Sequence, residues 1–196
     1  MKVTKAQVQE NREHIVKTAS VLFRERGYDG VGIAELMSTA GFTHGGFYKH
    51  FKSKADLMAE AAAFSFAKSA EETSDLDMVT FAQQYLSRKH RDSFGNGCTM
   101  AALSTDAGRQ SEIIKETFMA GIESQLATLS NGEEVTGEER AIRINAIAQA
   151  VGALVLSRSC PDDSPLANEI LQASLNQILS LNEQKSNDVD KAITKL

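Results

Sequence analysis

Proline is almost absent from this chain. Its 196 residues contain two, Pro161 and Pro165. Proline breaks helix interiors, so long proline-free stretches suit a helical protein. No long stretch alternates apolar and polar residues with the β-branched enrichment of a half-buried strand. Together these absences predict an all-α fold. Cysteine is also scarce. Cys98 and Cys160 are too few for a disulfide framework, which fits a reduced, cytoplasmic protein. The longest late apolar run, "AVGALVL", is too short to span a bilayer, so no membrane association is expected. The opening "MKVTKAQVQENREH" is polar and lacks the apolar core of a secretory signal. Metal-binding signatures are missing as well. There is no Glu-x-x-His pair for a di-iron bundle, no His-Glu-x-x-His and no paired-Cys zinc pattern. No metal, no cofactor and no catalytic residue is expected.

What is present is an uneven charge. The net charge of −5 argues against a nucleic-acid binder taken as a whole. Residues 1–54, however, hold nine Lys/Arg against five Asp/Glu, a balance of +4, while residues 55–196 hold twelve against twenty-one, a balance of −9. A basic end on an acidic body points to one end that meets a polyanion.

The chain reads as about nine helices. Ile15, Val16, Ala19, Leu22 and Phe23 form an apolar stripe of helical period in a first helix from Lys5 to Arg26. Gly27 supplies its stop. Ile33, Leu36 and Met37 mark a short second helix that ends at Gly41. Thr43 is a suitable N-cap for a third, over about 44–50. Ser53 with Asp56 three residues on is an Asp version of the capping box, opening a fourth helix that continues through "AEAAAFSFAKSAEE". "LDMVTFAQQYLSRKHR" reads as one helix, broken by "FGNG". Helices follow over "CTMAALSTDAGR", "QSEIIKETFMAGIESQLATL", "EERAIRINAIAQAVGALVLSR" and "LANEILQASLNQILSL". A polar tail is predicted from about Asn182. The residues alone give no clear domain boundary, because the fourth helix reads as continuous.

Two short helices joined by the Gly-containing turn "AGFT" make a helix-turn-helix. In that motif the second helix enters the DNA major groove, tip first. Here it offers Thr43, His44, Gly45, Gly46, Tyr48, Lys49 and His50, while Phe47 and Phe51 face inward. Tyr48, Lys49 and His50 carry groups that bond or neutralise phosphates. Ser53 and Lys54 open the next helix, whose free N–H groups also suit a phosphate. The same spacing fits a helical hairpin with packing value only.

The stretch "GYDGVGIAELMSTAGFTHGGFYKHFKSKADLMAEA" resembles the N-terminal domain of TetR-type transcriptional regulators. The resemblance covers "TASVLFRERGYDG", the helix-turn-helix and "FYKHFKSKADL", within residues 9–69. It implies a DNA-binding domain at 9–69, with the helix-turn-helix at about 32–51, and a ligand-binding and dimerisation domain at 70–183. A polar tail at 184–196 completes the chain. By the resemblance, Thr43, Tyr48, His50 and Lys54 occupy phosphate-contacting positions. His44, Gly45, Gly46 and Lys49 face bases or the groove wall. The adjacent glycines depart from the larger side chains common at these positions and leave fewer groups for direct reading. They would let the backbone approach the duplex closely.

A helix-turn-helix reads about half an operator, so a homodimer is expected. Ile144, Ala148, Val151 and Val155 fall on one stripe, with Ile147 and Leu154 beside it. Ile170, Leu171, Leu175, Ile178 and Leu179 form another. Small Ala148, Gly152 and Ala173 permit close approach. Burial inside one subunit explains the stripes equally well. The resemblance favours dimerisation through these two final helices. It also implies an inducer pocket among the middle helices, where Phe64, Phe66, Phe81, Tyr85, Met100, Leu103, Phe118, Met119 and Ile122 are large and apolar. Core packing accounts for the same residues, and nothing names the ligand beyond a mild preference for a hydrophobic small molecule. Cys98 follows a Gly-Asn-Gly break near a helix N-terminus, where the dipole can activate a thiol. "SRKHRD" upstream could add positive charge. A redox or electrophile switch and a small buried hydrophobe both fit this cysteine. Cys160 is assigned no role.

The expectation is a dimeric repressor that binds a double-stranded operator and is released by a small-molecule inducer or by modification of Cys98. The alternatives are a helical protein adaptor without DNA binding and a helical-bundle enzyme.

Overall fold

The computed structural model describes residues 4–129 and 136–193, with side chains to 182. Among these residues the protein is all helical, with nine α-helices and one 3-10 helix. They are α1 (Lys5–Arg26), α2 (Ile33–Thr39), the 3-10 helix (His44–Lys49), α3 (Lys54–Thr73), α4 (Met78–Tyr85), α5 (Arg88–Asp92), α6 (Thr99–Ala107), α7 (Glu112–Thr128), α8 (Gly137–Arg158) and α9 (Pro165–Ile193). Packing groups the residues up to Glu72 with Phe94–Gln125 in one compact unit, and Thr73–Ser93 with the residues from Leu126 on in a second.

In the first unit, the apolar stripe of α1 is buried as its period requires. Ile15, Ala19 and Phe23 are fully enclosed, with Leu36, Met37, Phe47, Phe51 and Leu57 in the same core. Each of these side chains other than Ala19 contributes roughly 1.5–3 kcal/mol relative to exposure. Gly27 ends α1 at φ 73°, a left-handed conformation that glycine adopts without strain. The turn between α2 and the 3-10 helix uses the same device. Gly41 has φ 81°, its N–H bonds Ser38 O at 3.0 Å, and Phe42 N–H bonds Met37 O at 2.8 Å. This is a Schellman ending, and it fixes the angle of the helix-turn-helix.

Three elements differ from the sequence reading. The third helix is wound as 3-10, with Gly46 N–H bonded to Thr43 O and His50 N–H to Phe47 O, each at 2.9 Å. Gly45 and Gly46 each disfavour an α-helix by about 1 kcal/mol relative to Ala, and the short segment takes the tighter winding. Thr43 stands at the N-cap position, but its side chain makes no capping bond. The segment "LDMVTFAQQYLSRKHR" is two helices, because Ser87 starts a new one by accepting from His90 N–H at 3.2 Å. Finally, α9 runs to Ile193, past Asn182, where the sequence predicts a polar tail. Residues 130–135, in the expected break before α8, and 194–196, at the end of that tail, lie outside the described residues.

In the second unit α8 packs on α9, and α4 and α5 complete it. Arg91 is 1% exposed and locks α5 to the loop after α8. Its guanidinium bonds Ser157 Oγ at 3.0 Å, Cys160 O at 3.0 Å and Asp162 at 2.9 Å. Arg88 pairs with Asp92 at 2.9 Å. The two arginines of "SRKHRD", whose charge the sequence reading offers to Cys98, are therefore engaged inside their own unit.

Candidate nucleic-acid interface

The helix-turn-helix presents its polar residues outward. Phe47 and Phe51 are buried with ring centroids 5.5 Å apart, which anchors the 3-10 helix from beneath. Thr43, His44, Gly45, Tyr48 and Lys49 are then exposed together on its outer surface. Tyr48 is 66% exposed although its ring meets Phe47 edge-on at 5.2 Å, so its hydroxyl end is offered to solvent. A large ring left this open suits a surface that is covered on binding.

The glycines differ from each other. A Cβ at Gly45 would meet nothing within 4 Å, and Gly45 has no left-handed φ to justify it. A Cβ at Gly46 would lie 3.6 Å from Thr43 Oγ1 and 3.7 Å from Met37 Cε, ordinary contact. The fold itself thus requires neither glycine.

His50 and Lys54 sit at the rim, half-buried. His50 Nδ1 is enclosed without a hydrogen-bond partner. Its ring neighbours Phe42 and Phe51, both at 6.2 Å. Burial, and then the charges of Arg12 and Lys49, hold its pKa below the ordinary histidine value. Arg12 lies 4.4 Å over the Phe51 ring and pairs with Glu60. Lys54 donates to the Tyr28 carbonyl. At the start of α3, Ser53 Oγ accepts from Asp56 N–H at 3.1 Å, and Asp56 reaches back to Lys52 N–H at 3.1 Å, one residue before the partner a capping box would use.

Two residues that the sequence reading did not single out brace the first unit: Arg24 joins α1 to α3 and to the loop before α6, and Asp106 joins α6 to the α1–α2 turn. Arg24 is buried, and its guanidinium bonds Gly95 O at 2.9 Å and the Ser65 hydroxyl. Burial lowers its pKa, opposed by charge interactions with Cys98 and Glu25. Asp106 accepts from Tyr28 N–H at 3.0 Å and pairs with Arg109 at 2.9 Å. The available signal for Arg24 was its place four residues after Ser20, next to Phe23 on a buried helix face. Nothing in the sequence marked Asp106.

The other expected sites are placed as follows. Cys98 is the N-cap residue of α6, half-exposed, with its carbonyl bonded to Ala102 N–H at 3.1 Å. Met100, Leu103 and Phe118 are core of the first unit. Phe118 meets Phe66 edge-on at 5.3 Å, and a side chain at Gly121 would collide with that Phe66 ring. Phe64 and Ile122 are open to solvent, and Met119 is 63% exposed, so these three are surface residues of the chain. Phe81 and Tyr85 belong to the second unit, with rings 5.4 Å apart. On α8, Ile144, Ala148 and Val155 are exposed and Val151 half-exposed, whereas Ile147 and Leu154 are buried. On α9, Ile170 and Leu175 are half-exposed. Leu171 and Ile178 are 3% and 5% exposed in the single chain, so the fold already covers them without a partner. Among the described residues, no helix is long and apolar enough to cross a membrane and no cluster of His, Cys, Asp and Glu could hold a metal ion.

An outward-facing helix-turn-helix in a basic N-terminal region, all helical among the described residues, is the architecture of a DNA-binding transcriptional regulator. Residues 15–61 match the family of bacterial regulatory proteins, tetR family. Over those residues the chain carries the DNA-binding domain of a TetR-type regulator. It is 42% identical over 57 residues to the HTH-type transcriptional regulator AcrR of Shigella flexneri, a match spanning 29% of this chain and 26% of AcrR. It is 29% identical over 135 residues to the HTH-type transcriptional repressor NemR of Escherichia coli K12, spanning 64% of this chain and 68% of NemR. The crystal structure of reduced E. coli NemR shares the fold, with a TM-score of 0.72 at 22% identity over 86% of this chain and 95% of that one.

Proposed function

We propose that the protein is a homodimeric, cytoplasmic repressor that leaves its operator when a small molecule binds or when Cys98 is modified. The DNA-reading surface is the exposed set Thr43, His44, Gly45, Tyr48 and Lys49, with Gly46, His50 and Lys54 at its margin. This reading rests above all on that cluster: bare backbone, hydroxyl, imidazole and ammonium groups displayed over a closed aromatic core. Thr43, Tyr48, His50 and Lys54 contact phosphates, and His44 and Lys49 carry direct base contact. Two copies place two such surfaces about 34–36 Å apart, one helical turn, on successive major grooves.

The outer face of α8 supports the dimer. Ile144 and Val155 are 44% and 39% exposed, Ala148 lies between them, and a Cβ at Gly152 would meet nothing within 4 Å. Domain roles follow: 9–69 reads DNA, and 70–183 dimerises and senses. Repression is the role named for NemR, which has also been crystallised in a reduced form. For this chain, a half-exposed thiol at the N-terminus of α6 supports Cys98 as the reactive group. Within the first unit, Met100, Leu103 and Phe118 are the candidates for contact with an apolar inducer.

Recovery of bound fragments from the source genome, followed by footprinting with and without a thiol-reactive alkene, tests this reading. Protection over two half-sites, lost on alkylation of wild type and retained in Cys98→Ser, is the expected result. Release of both proteins alike removes the covalent branch. Absence of any protected duplex removes the regulator reading in favour of a protein adaptor.

A further inference from the structure

The α1–α2 turn is held from two sides through one residue. Tyr28 is fully buried, with its ring edge-on to Phe23 at 5.1 Å. Its N–H donates to Asp106 Oδ2 of α6 at 3.0 Å. Its carbonyl accepts from the Lys54 ammonium at the start of α3. Gly27 is the complement to this arrangement. Its φ of 73° suits glycine, and a Cβ there would stand 2.7 Å from Asp106 Oδ2. The missing side chain is what admits the carboxylate to the Tyr28 N–H. The loop that leads into α6 is fastened too, through Gly95 O and the buried Arg24 guanidinium.

We propose that Asp106 is a positioning residue for DNA binding, which acts through the Tyr28 backbone to set the Lys54 ammonium at the rim of the helix-turn-helix. The inference rests on the reading of Lys54 as a phosphate contact. An ammonium has three donors. One is spent on Tyr28 O, which aims the remaining two. The Tyr28 ring cannot swing, because it is enclosed, so the position of its carbonyl follows the bond at its N–H. A change at Asp106 is thereby passed to the Lys54 ammonium.

The test measures affinity for a labelled mixed-sequence duplex of about three helical turns, across salt from about 50 to 200 mM. The slope of log affinity against log salt counts phosphate contacts. Lys54→Ala should weaken binding and reduce the slope by about one contact per protomer. Asp106→Ala should reproduce that reduction, and the double variant should lose little more than either single one. Asp106→Asn keeps an oxygen for the Tyr28 N–H and should retain the wild-type slope. If the alanine variant does not fold, Asp106→Ser, too short to reach Tyr28, gives the same comparison. A purely stabilising role for Asp106 would lower thermal stability and leave the slope unchanged. That result, or full additivity with Lys54→Ala, overturns the proposal while leaving Lys54 a phosphate contact. An unchanged slope in Lys54→Ala itself overturns both.

Discussion

The tip of the helix-turn-helix and the outer face of α8 are both uncovered in the single chain, yet their chemistry is opposite. At the tip, Phe47 and Phe51 are closed inside while Thr43, His44, Gly45, Tyr48 and Lys49 face out. On α8 the sides divide differently. Ile147 and Leu154 turn inward, but Ile144, Ala148 and Val155 remain outside, with Leu156 exposed beside them. One surface suits a solvated polyanion and the other an apolar copy of itself. The two should answer to different variables, charge screening at the tip and protein concentration at α8.

Salt gives the largest separation. If a dimer neutralises about six to ten phosphates, DNA affinity falls about 10³–10⁵-fold between 50 and 200 mM salt. The dimer, held by apolar burial, should change little over the same range. Anisotropy titration and sedimentation velocity at matched salt check both halves of the contrast. A dimer that dissociates as steeply as the DNA complex would mean that the α8 face is not its seat.

A buried charge on α8 is next. Val155→Glu places two unpaired carboxylates in the proposed interface, one from each copy. At roughly 3 kcal/mol or more, the dimer dissociation constant should rise at least about 10²-fold. The residual DNA binding should then show about half the salt slope, since a monomer covers half the phosphates. Val8→Glu, exposed on α1 in the first unit and outside both stripes, serves as the control and should leave the dimer intact.

Gly45→Gln probes the tip directly. A side chain there meets no atom of the protein, so thermal stability should stay level or rise slightly with the better helix former. DNA affinity should fall about tenfold or more, on the order of 1–3 kcal/mol, if the backbone lies close to the duplex. Gly46→Gln is the less informative partner, because Met37 and Thr43 already bound that site. Unchanged affinity in Gly45→Gln would mean that the groove lies away from this residue.

Much of this was legible in the sequence because local rules decide it. The stripe of α1, the glycine stops at 27 and 41 and the inward aromatic pair follow from period and φ preference alone. The 3-10 winding was less legible, since it depends on two glycines outweighing an otherwise helical pattern. The face of α9 that stays inside was ambiguous. Leu171 and Ile178 share a stripe with Ile170 and Leu175, and only packing against the rest of the unit separates them. Asp106 was invisible, because its partner Tyr28 lies 78 residues away and is reached through a backbone group. Arg24 lies in a helix that reads as amphipathic, and its burial is set by Gly95 and Ser65 from distant segments.

His50 gives the smallest expected effect and the finest test of the tip. Its pKa in the free protein lies below the ordinary value through burial, and then through Arg12 and Lys49. A phosphate beside the ring would oppose all of these and raise it. DNA binding should therefore take up protons, and affinity should increase a few-fold as pH falls from about 8 to 6. Folding responds with the opposite sign. The unfolded chain, with its ordinary histidine pKa, binds the proton more tightly than the native state. The stability contributed by neutral His50 is thus present above about pH 6.5 and shrinks as pH falls below it. His50→Gln should flatten its share of both dependences, the DNA profile by equilibrium titration and the stability profile by thermal unfolding. If DNA affinity is flat with pH in wild type while stability still falls on acidification, the ring titrates but meets no phosphate, and His50 drops out of the phosphate-contacting set.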